Sequence, residues 1–288
     1  MVMGTESVYE DLHILRANSP EQADLLVLGA SGGMLDRFTH IPRMFRWLSH
    51  TYPKKPMCVL PSTFYYPTRS IAEDIGTRKA PLTIFCREAY SYRHLTEQHN
   101  LPETCSVKLD HDLAFELEDG PYVASVRAMP PQHILFVERV DVEHVAIALN
   151  PESTSMKARK LIGKVVPANL KKTLYFMVRF VRSKRQTPFR DCCEHLLKKQ
   201  YPDLIKLPRL VADISNVNTC SFDEFTQAVG HAAVIFTTRL HVAILGAMAG
   251  KPTFLFEGPY HKIRGIYEHS LTDRPDVRLV PLSAQERL

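Results

Sequence analysis

Short apolar runs alternate with helix-length stretches along the chain, and turn-forming residues bound both. Residues 24–30 (DLLVLGA) read as a buried strand that ends in the turn Gly29-Ala-Ser-Gly-Gly33. A helix is expected over 36–50, then a strand and loop over 56–66. The strand expected over 81–86 runs straight into a helix over 87–99, and a strand and turn follow over 106–117. Continuous apolar runs of this length suit strands covered on both faces. Strands separated by helix-length segments predict βαβ units and a parallel sheet, so the fold class is α/β.

Residues 118–132 (EDGPYVASVRAMPPQ) carry three prolines and a glycine and read as an interdomain linker. The pattern then restarts. Strands are expected over 133–140, 209–215, 232–237 and 252–257, with helices over 221–231 and 239–249. Ser221 and Glu224 have the spacing of a capping box. Gly250-Lys251-Pro252 is a helix stop. Two successive βα series predict two Rossmann-like domains, 1–125 and 126–288, facing a cleft. Ligands of such sheets bind at the carboxyl ends of the strands.

Composition narrows the class. The chain has 288 residues, 45% hydrophobic and 23% charged, with a net charge of +5. These values exclude wholesale disorder and collagen-like structure. No apolar run approaches the roughly 18 residues of a membrane span. The start, MVMGTESVYE, lacks the basic and apolar regions of a secretory signal. The six cysteines, at 58, 86, 105, 192, 193 and 220, form no CxxC pair. Free thiols in a reducing cytoplasm are therefore expected, not a zinc site or a disulfide scaffold.

Several groups could carry chemistry. Thr237-Thr238-Arg239-Leu240-His241 lies where a strand ends and a helix begins. Exposed N–H groups and the helix dipole attract anions there. Arg239 adds a bidentate fork, and His241 a ring that gives or takes a proton near neutral pH. Arg87 stands at a second strand-to-helix junction. Lys262 and Arg264 follow the strand 252–257 and add cations at its carboxyl end. In the turn after the first strand, Ser31, Gly32 and Gly33 allow close backbone approach to a ligand. That turn matches neither a dinucleotide fingerprint nor a P-loop. Asp110 and Asp112 read as a strand-end turn capped by aspartate, the alternative being a divalent-metal pair.

Residues 151–190 hold eleven Lys/Arg against the single acid Glu152. Leu170, Leu174, Met177, Val178 and Val181 recur at helical spacing, with Lys171, Lys172, Arg179 and Arg182 on another face. A basic amphipathic helix suits an anionic membrane surface, through residues 157–190. The alternative is a helix that packs its stripe on the core. No nucleic-acid-binding motif accompanies the charge.

The stretches LGASGG (28–33), FCREAYSY (85–92), LDHDLAF (109–115), VERVDVE (137–143), IFTTRLHVAILGAMAGKP (235–252) and YHKIRGIYE (260–268) resemble the polysaccharide pyruvyl transferase family, in the family's order. The resemblance implies a GT-B-like pair of domains, with the acceptor on the N-terminal side and the donor on the C-terminal side. It implies transfer of the enolpyruvyl group of phosphoenolpyruvate onto two hydroxyls of a sugar or lipid-linked glycan, giving a pyruvate ketal. The family's donor-site residues carry over as Arg87, Arg239, His241 and Lys262, with Thr238 and Arg264 beside them. Phosphoenolpyruvate is a donor substrate, and no cofactor or metal is expected, because Arg and Lys already oppose its charge. The protein is then expected in the cytoplasm, at the inner face of the membrane if residues 157–190 bind it. Two other readings stay open: a nucleotide-sugar glycosyltransferase with Glu257 as its ribose-binding carboxylate, and a non-catalytic anion- or lipid-binding protein of the same fold.

Overall fold

The computed structural model describes residues 2–3, 20–30, 32–36, 40–98, 100–138, 187–212, 214, 220–258 and 260–281. The chain forms two compact units. One comprises Met1–Leu113 and Gly265–Ser270, the other Ala114–Arg264 and Leu271–Leu288. Each contains a five-stranded parallel sheet, in keeping with the α/β class.

In the first unit the elements run β1 (Val2–Met3), β2 (Leu26–Leu28), β3 (Met34–Leu35), α1 (His40–Thr51), β4 (Met57–Ser62), β5 (Phe64–Tyr65), α2 (Ala72–Ile75), β6 (Leu82–Cys86), α3 (Ala89–Gln98) and β7 (Cys105–Leu109). The sheet order is β1-β2-β4-β6-β7, so the chain adds strands in one direction only. Leu82, Ile84 and Cys86 of β6 are buried while Thr83 and Phe85 are half-buried, the period of two that a pleated strand imposes. On α1, Met44, Phe45 and Leu48 turn into the core at helical spacing. The Gly-rich turn after β2 leads into β3, which pairs with β5, rather than directly into a helix.

The second unit contains α4 (Pro121–Arg127), β8 (His133–Val137), α5 (Pro188–Gln200), β9 (Arg209–Val211), α6 (Phe222–Gly230), β10 (Ala232–Thr237), α7 (Leu240–Met248), β11 (Thr253–Phe256), the start of α8 (Lys262–Ile266), whose last two residues fall in the first unit, and β12 (Val277–Val280). Its sheet order is β12-β11-β10-β8-β9. Phe136, Phe236 and Phe254 lie on three adjacent strands. The Phe236 and Phe254 rings stack at 4.8 Å, and Phe136 meets Phe236 edge-on at 5.3 Å. All four residues of β11 are buried, as in a parallel sheet covered on both faces.

The linker expected over 118–132 is replaced by α4. Gly120 caps it, Pro121 takes its first turn, and Val123 and Val126 are buried one turn apart. Proline at this place begins a helix instead of interrupting one. The patterning also missed α5. Its cap is Thr187, whose Oγ1 accepts from the Arg190 N–H at 3.3 Å. Arg190 itself is buried. Residues 157–186 of the basic segment, with the stripe 169–185, lie outside the described residues.

Helix α7 packs hard against its sheet. A Cβ on Gly246 would stand 2.7 Å from Thr253 Oγ1 and 2.8 Å from Ile235 Cδ1. Gly250 has φ +67°, the left-handed conformation that closes the helix. Lys251 then turns inward, and its Nζ donates to Met129 O at 3.1 Å. Among the described residues no helix is long and apolar enough to cross a membrane.

Candidate active site

Strand order singles out one place in the second unit. The chain enters at β8, moves outward to β9, and returns to β10 on the other side of β8. The strand order therefore reverses between β8 and β10. In open α/β sheets, ligands bind outside the carboxyl ends of the strands at such a reversal. The first unit's sheet has no reversal among its described strands.

Residues Thr237–Thr238–Arg239 leave β10 at this point. Thr237 is in register with Val137 of β8 and Leu255 of β11. The Thr238 N–H donates to Val137 O at 3.0 Å, which ties the two strands together at the reversal. Arg239 is the N-cap of α7 in extended conformation, and its N–H donates to Thr237 Oγ1 at 2.8 Å. The backbone turn is thus held by a threonine hydroxyl, and the next residues start the helix. Thr238 and Arg239 are half-buried.

His241 occupies the first turn of α7. Every other residue of that helix is buried, and His241 alone is exposed. A helix apolar on all sides belongs inside a core. Packing therefore accounts for the other eight residues and not for an imidazole at this end.

The neighbouring strand contributes Glu257, whose N–H donates to Val280 O at 2.9 Å. Its carboxylate takes a bidentate grip from Arg264: Nε to Oε1 at 2.5 Å and Nη2 to Oε2 at 2.9 Å. Arg264 was expected to face a ligand, and Glu257 to suit a ribose. In the structure each engages the other. Lys262, in the first turn of α8, is half-buried. Glu138, just past β8, was not singled out in the sequence. Its Oε2 accepts from Thr187 Oγ1 at 3.1 Å.

The first unit holds Arg87, which is 1% exposed. Its Nε donates to Thr63 Oγ1 at 2.8 Å, and its Nη1 to Asp112 Oδ2 at 2.5 Å. The expectation for Arg87 was a cation facing a donor. Here it forms a buried ion pair that ties the end of β6 to the loops after β4 and β7. The strand-end turn expected at Asp110 and Asp112 is present, since the exposed Asp110 accepts the His111 N–H on Oδ1 at 2.8 Å, while Asp112 is buried against Arg87. No local pattern could reveal this pair, because 25 residues separate its members.

Glu88, next in the chain, is also buried. Its Oε2 accepts from the Ser91 N–H at 2.8 Å, its Oε1 from the Ser91 hydroxyl, and burial holds its carboxyl above the ordinary value. Gly265 sits against it, and a Cβ there would be 2.9 Å from Oε2. Because the folded-state value is raised, the neutral acid's contribution to stability is intact below the ordinary carboxylate range. It is lost as pH rises through the raised value. The expected result is that wild-type stability falls relative to Glu88→Gln as pH climbs from about 4 to about 8. Denaturant midpoints across that range measure it, and a constant difference would place the ionisation elsewhere.

In the turn after β2, Gly33 is buried and Gly32 half-buried, while Ser31 lies outside the described residues. A Cβ at Gly29 would meet nothing within 4 Å, so the protein's own packing does not demand glycine there.

A family model described as polysaccharide pyruvyl transferase matches residues 5–258 of this chain. No curated protein matches it. A crystal structure of a functionally uncharacterized protein from Klebsiella pneumoniae subsp. pneumoniae is similar at 15% identity and a TM-score of 0.48. That match covers 89% of this chain and 75% of the other.

Proposed function

Because this chain belongs to the polysaccharide pyruvyl transferase family, we propose that it moves the enolpyruvyl group of phosphoenolpyruvate onto two hydroxyls of an acceptor sugar. The product is a cyclic pyruvate ketal, and inorganic phosphate leaves. The observation that carries this reading is His241, exposed at the start of an otherwise buried helix and two residues after Arg239, where the strand order reverses.

The chemistry asks for fixed cations and one proton carrier. Phosphoenolpyruvate bears a carboxylate and a phosphate. Arg239 binds one of them through its planar fork, the N-terminal N–H groups of α7 add to the attraction, and Lys262 contributes a further charge. Protonation of the methylene carbon makes the adjacent carbon oxocarbenium-like. One hydroxyl attacks that carbon, the bond from carbon to the phosphate oxygen breaks, and the second hydroxyl closes the ring. Of the two hydroxyl protons, one is balanced by the new methyl group and the other leaves with phosphate. No oxidant or reductant enters. His241 carries the proton in one of these transfers. Arg87 serves as a positioning residue, holding the loops of its unit through Asp112 and Thr63.

The deciding experiment incubates the protein with phosphoenolpyruvate and a panel of sugars and lipid-linked glycans. Phosphate release together with a product heavier by one pyruvate ketal supports the reading. Phosphate release that no acceptor stimulates, or none at all, overturns it. Arg239→Lys keeps the charge and loses the fork. It is expected to weaken phosphoenolpyruvate binding by about tenfold, the loss of one charge-assisted hydrogen bond. Calorimetry measures this, and unchanged affinity would remove Arg239 from the donor site.

A further inference from the structure

Three aromatic rings stand together on the second unit. Phe222 opens α6 and is 67% exposed, the highest value for any large apolar side chain among the described residues. Its ring lies 5.4 Å from that of Tyr122 on α4 and 6.1 Å from that of Phe225, with interplanar angles of 26° and 23°. Tyr122 and Phe225 are half-buried, so the row of nearly parallel rings reaches solvent chiefly at Phe222. They are also held firmly. The capping box of Ser221 and Glu224 fixes the turn that bears Phe222, and the Tyr122 hydroxyl is 3.0 Å from Thr226 Oγ1.

Their place in the unit is informative. Helix α6 ends at Gly230, and β10 begins two residues later at its amino end. Nine residues of helix span about 13 Å. Phe222 therefore lies back at the carboxyl rim of the sheet. Helix α7 starts from that same rim with Arg239 and His241, and α4, α6 and α7 pack against one another. At the opposite rim, Arg127 Nη2 donates to Met248 O at 2.7 Å and joins the C-terminal ends of α4 and α7. Tyr122, Phe222 and His241 thus all sit in the first turns of neighbouring helices that open on one rim.

We infer that Tyr122, Phe222 and Phe225 form a glycan-binding subsite, which holds sugar rings of the acceptor other than the one that receives pyruvate. The choice of a glycan rests on the polysaccharide-acceptor reading above. Sugar rings carry one apolar face of C–H bonds, which packs on aromatic rings, and a rim of hydroxyls. Here the rings supply the apolar surface, and the exposed Asp223 supplies an acceptor for hydroxyls at its edge.

The test measures binding without donor, so that it does not depend on turnover. Hexasaccharides of glucose, galactose, mannose and N-acetylglucosamine are titrated against the full chain, each beside its monosaccharide. At least one hexamer is expected to bind more tightly than its monosaccharide. Phe222→Ala should then lose about tenfold in that affinity, as truncation of an aromatic anchor does, and Phe222→Tyr should keep it. No preference for any hexamer, or equal affinity in Phe222→Ala, overturns the subsite. So does a variant whose only change is a smaller sedimentation coefficient, since the rings would then serve contact between copies of this chain. Hexamer binding without phosphoenolpyruvate turnover would retain the subsite and refute the transfer reaction.

Discussion

Replacing His241 by alanine is expected to lower turnover by about 10²–10⁴-fold, the worth of a positioned general acid or base. The fold is expected to survive, because this side chain is exposed while the rest of α7 is buried. The measurement is steady-state phosphate release at saturating phosphoenolpyruvate, with circular dichroism and thermal melting as controls. On the proposed reading the drop should fall on kcat more than on KM, since that reading gives His241 the proton transfer and Arg239 the donor. His241→Gln keeps a hydrogen-bonding side chain at the helix start and removes the titratable ring. It is expected to fail almost as badly. A variant retaining more than about a tenth of the wild-type rate would remove His241 from the mechanism.

Removing Asp112 is expected to damage the protein in a different way. Asp112→Ala leaves Arg87 charged, buried and without its carboxylate. Side-chain exposures are 2% for Arg87 and 5% for Asp112, so water cannot compensate. Breaking a buried pair from one side costs about 3–5 kcal/mol. The observable is a lower urea midpoint at unchanged slope. The double variant Arg87→Met, Asp112→Leu removes both charges together and should recover most of the loss, because a buried pair contributes little beyond its own desolvation cost. A loss below about 1 kcal/mol in Asp112→Ala would be the behaviour of a solvated surface pair and would contradict the burial. If Arg87 instead contacts the donor, phosphoenolpyruvate should raise the melting temperature of wild type and fail to raise that of Arg87→Lys.

The candidate site is partly legible in the sequence. Thr238, Arg239 and His241 follow an apolar run and precede another, and a strand-to-helix junction has that local signature. Lys262 and Arg264 were placed after the correct strand by the same reasoning. Proximity in sequence did not decide what each cation engages. Arg264 closes on Glu257, seven residues away, and Arg87 on Asp112, 25 residues away. Phe222 was read only as part of a helix. A phenylalanine in an amphipathic pattern is expected on the buried face, and its 67% exposure depends on where α4 and α7 sit around α6.

By itself the sequence determined the α/β class, the positions of most strands, the helix starts at Ser221 and after Thr237, and the helix stop at Gly250. These depend on side-chain periodicity, caps and backbone conformations that act over a few residues. The family resemblance likewise rests on short motifs read in order. Only the tertiary structure decided that α4 is a helix of the second unit and that the strand order reverses between β8 and β10. It also decided that Gly265–Ser270 belongs with the first unit, and that Arg87 is buried in an ion pair while His241 faces solvent. Each of these is set by strand pairing and by packing between segments far apart in the chain. Burial and partner choice are properties of that assembly, and a local pattern of apolar and polar residues does not encode them.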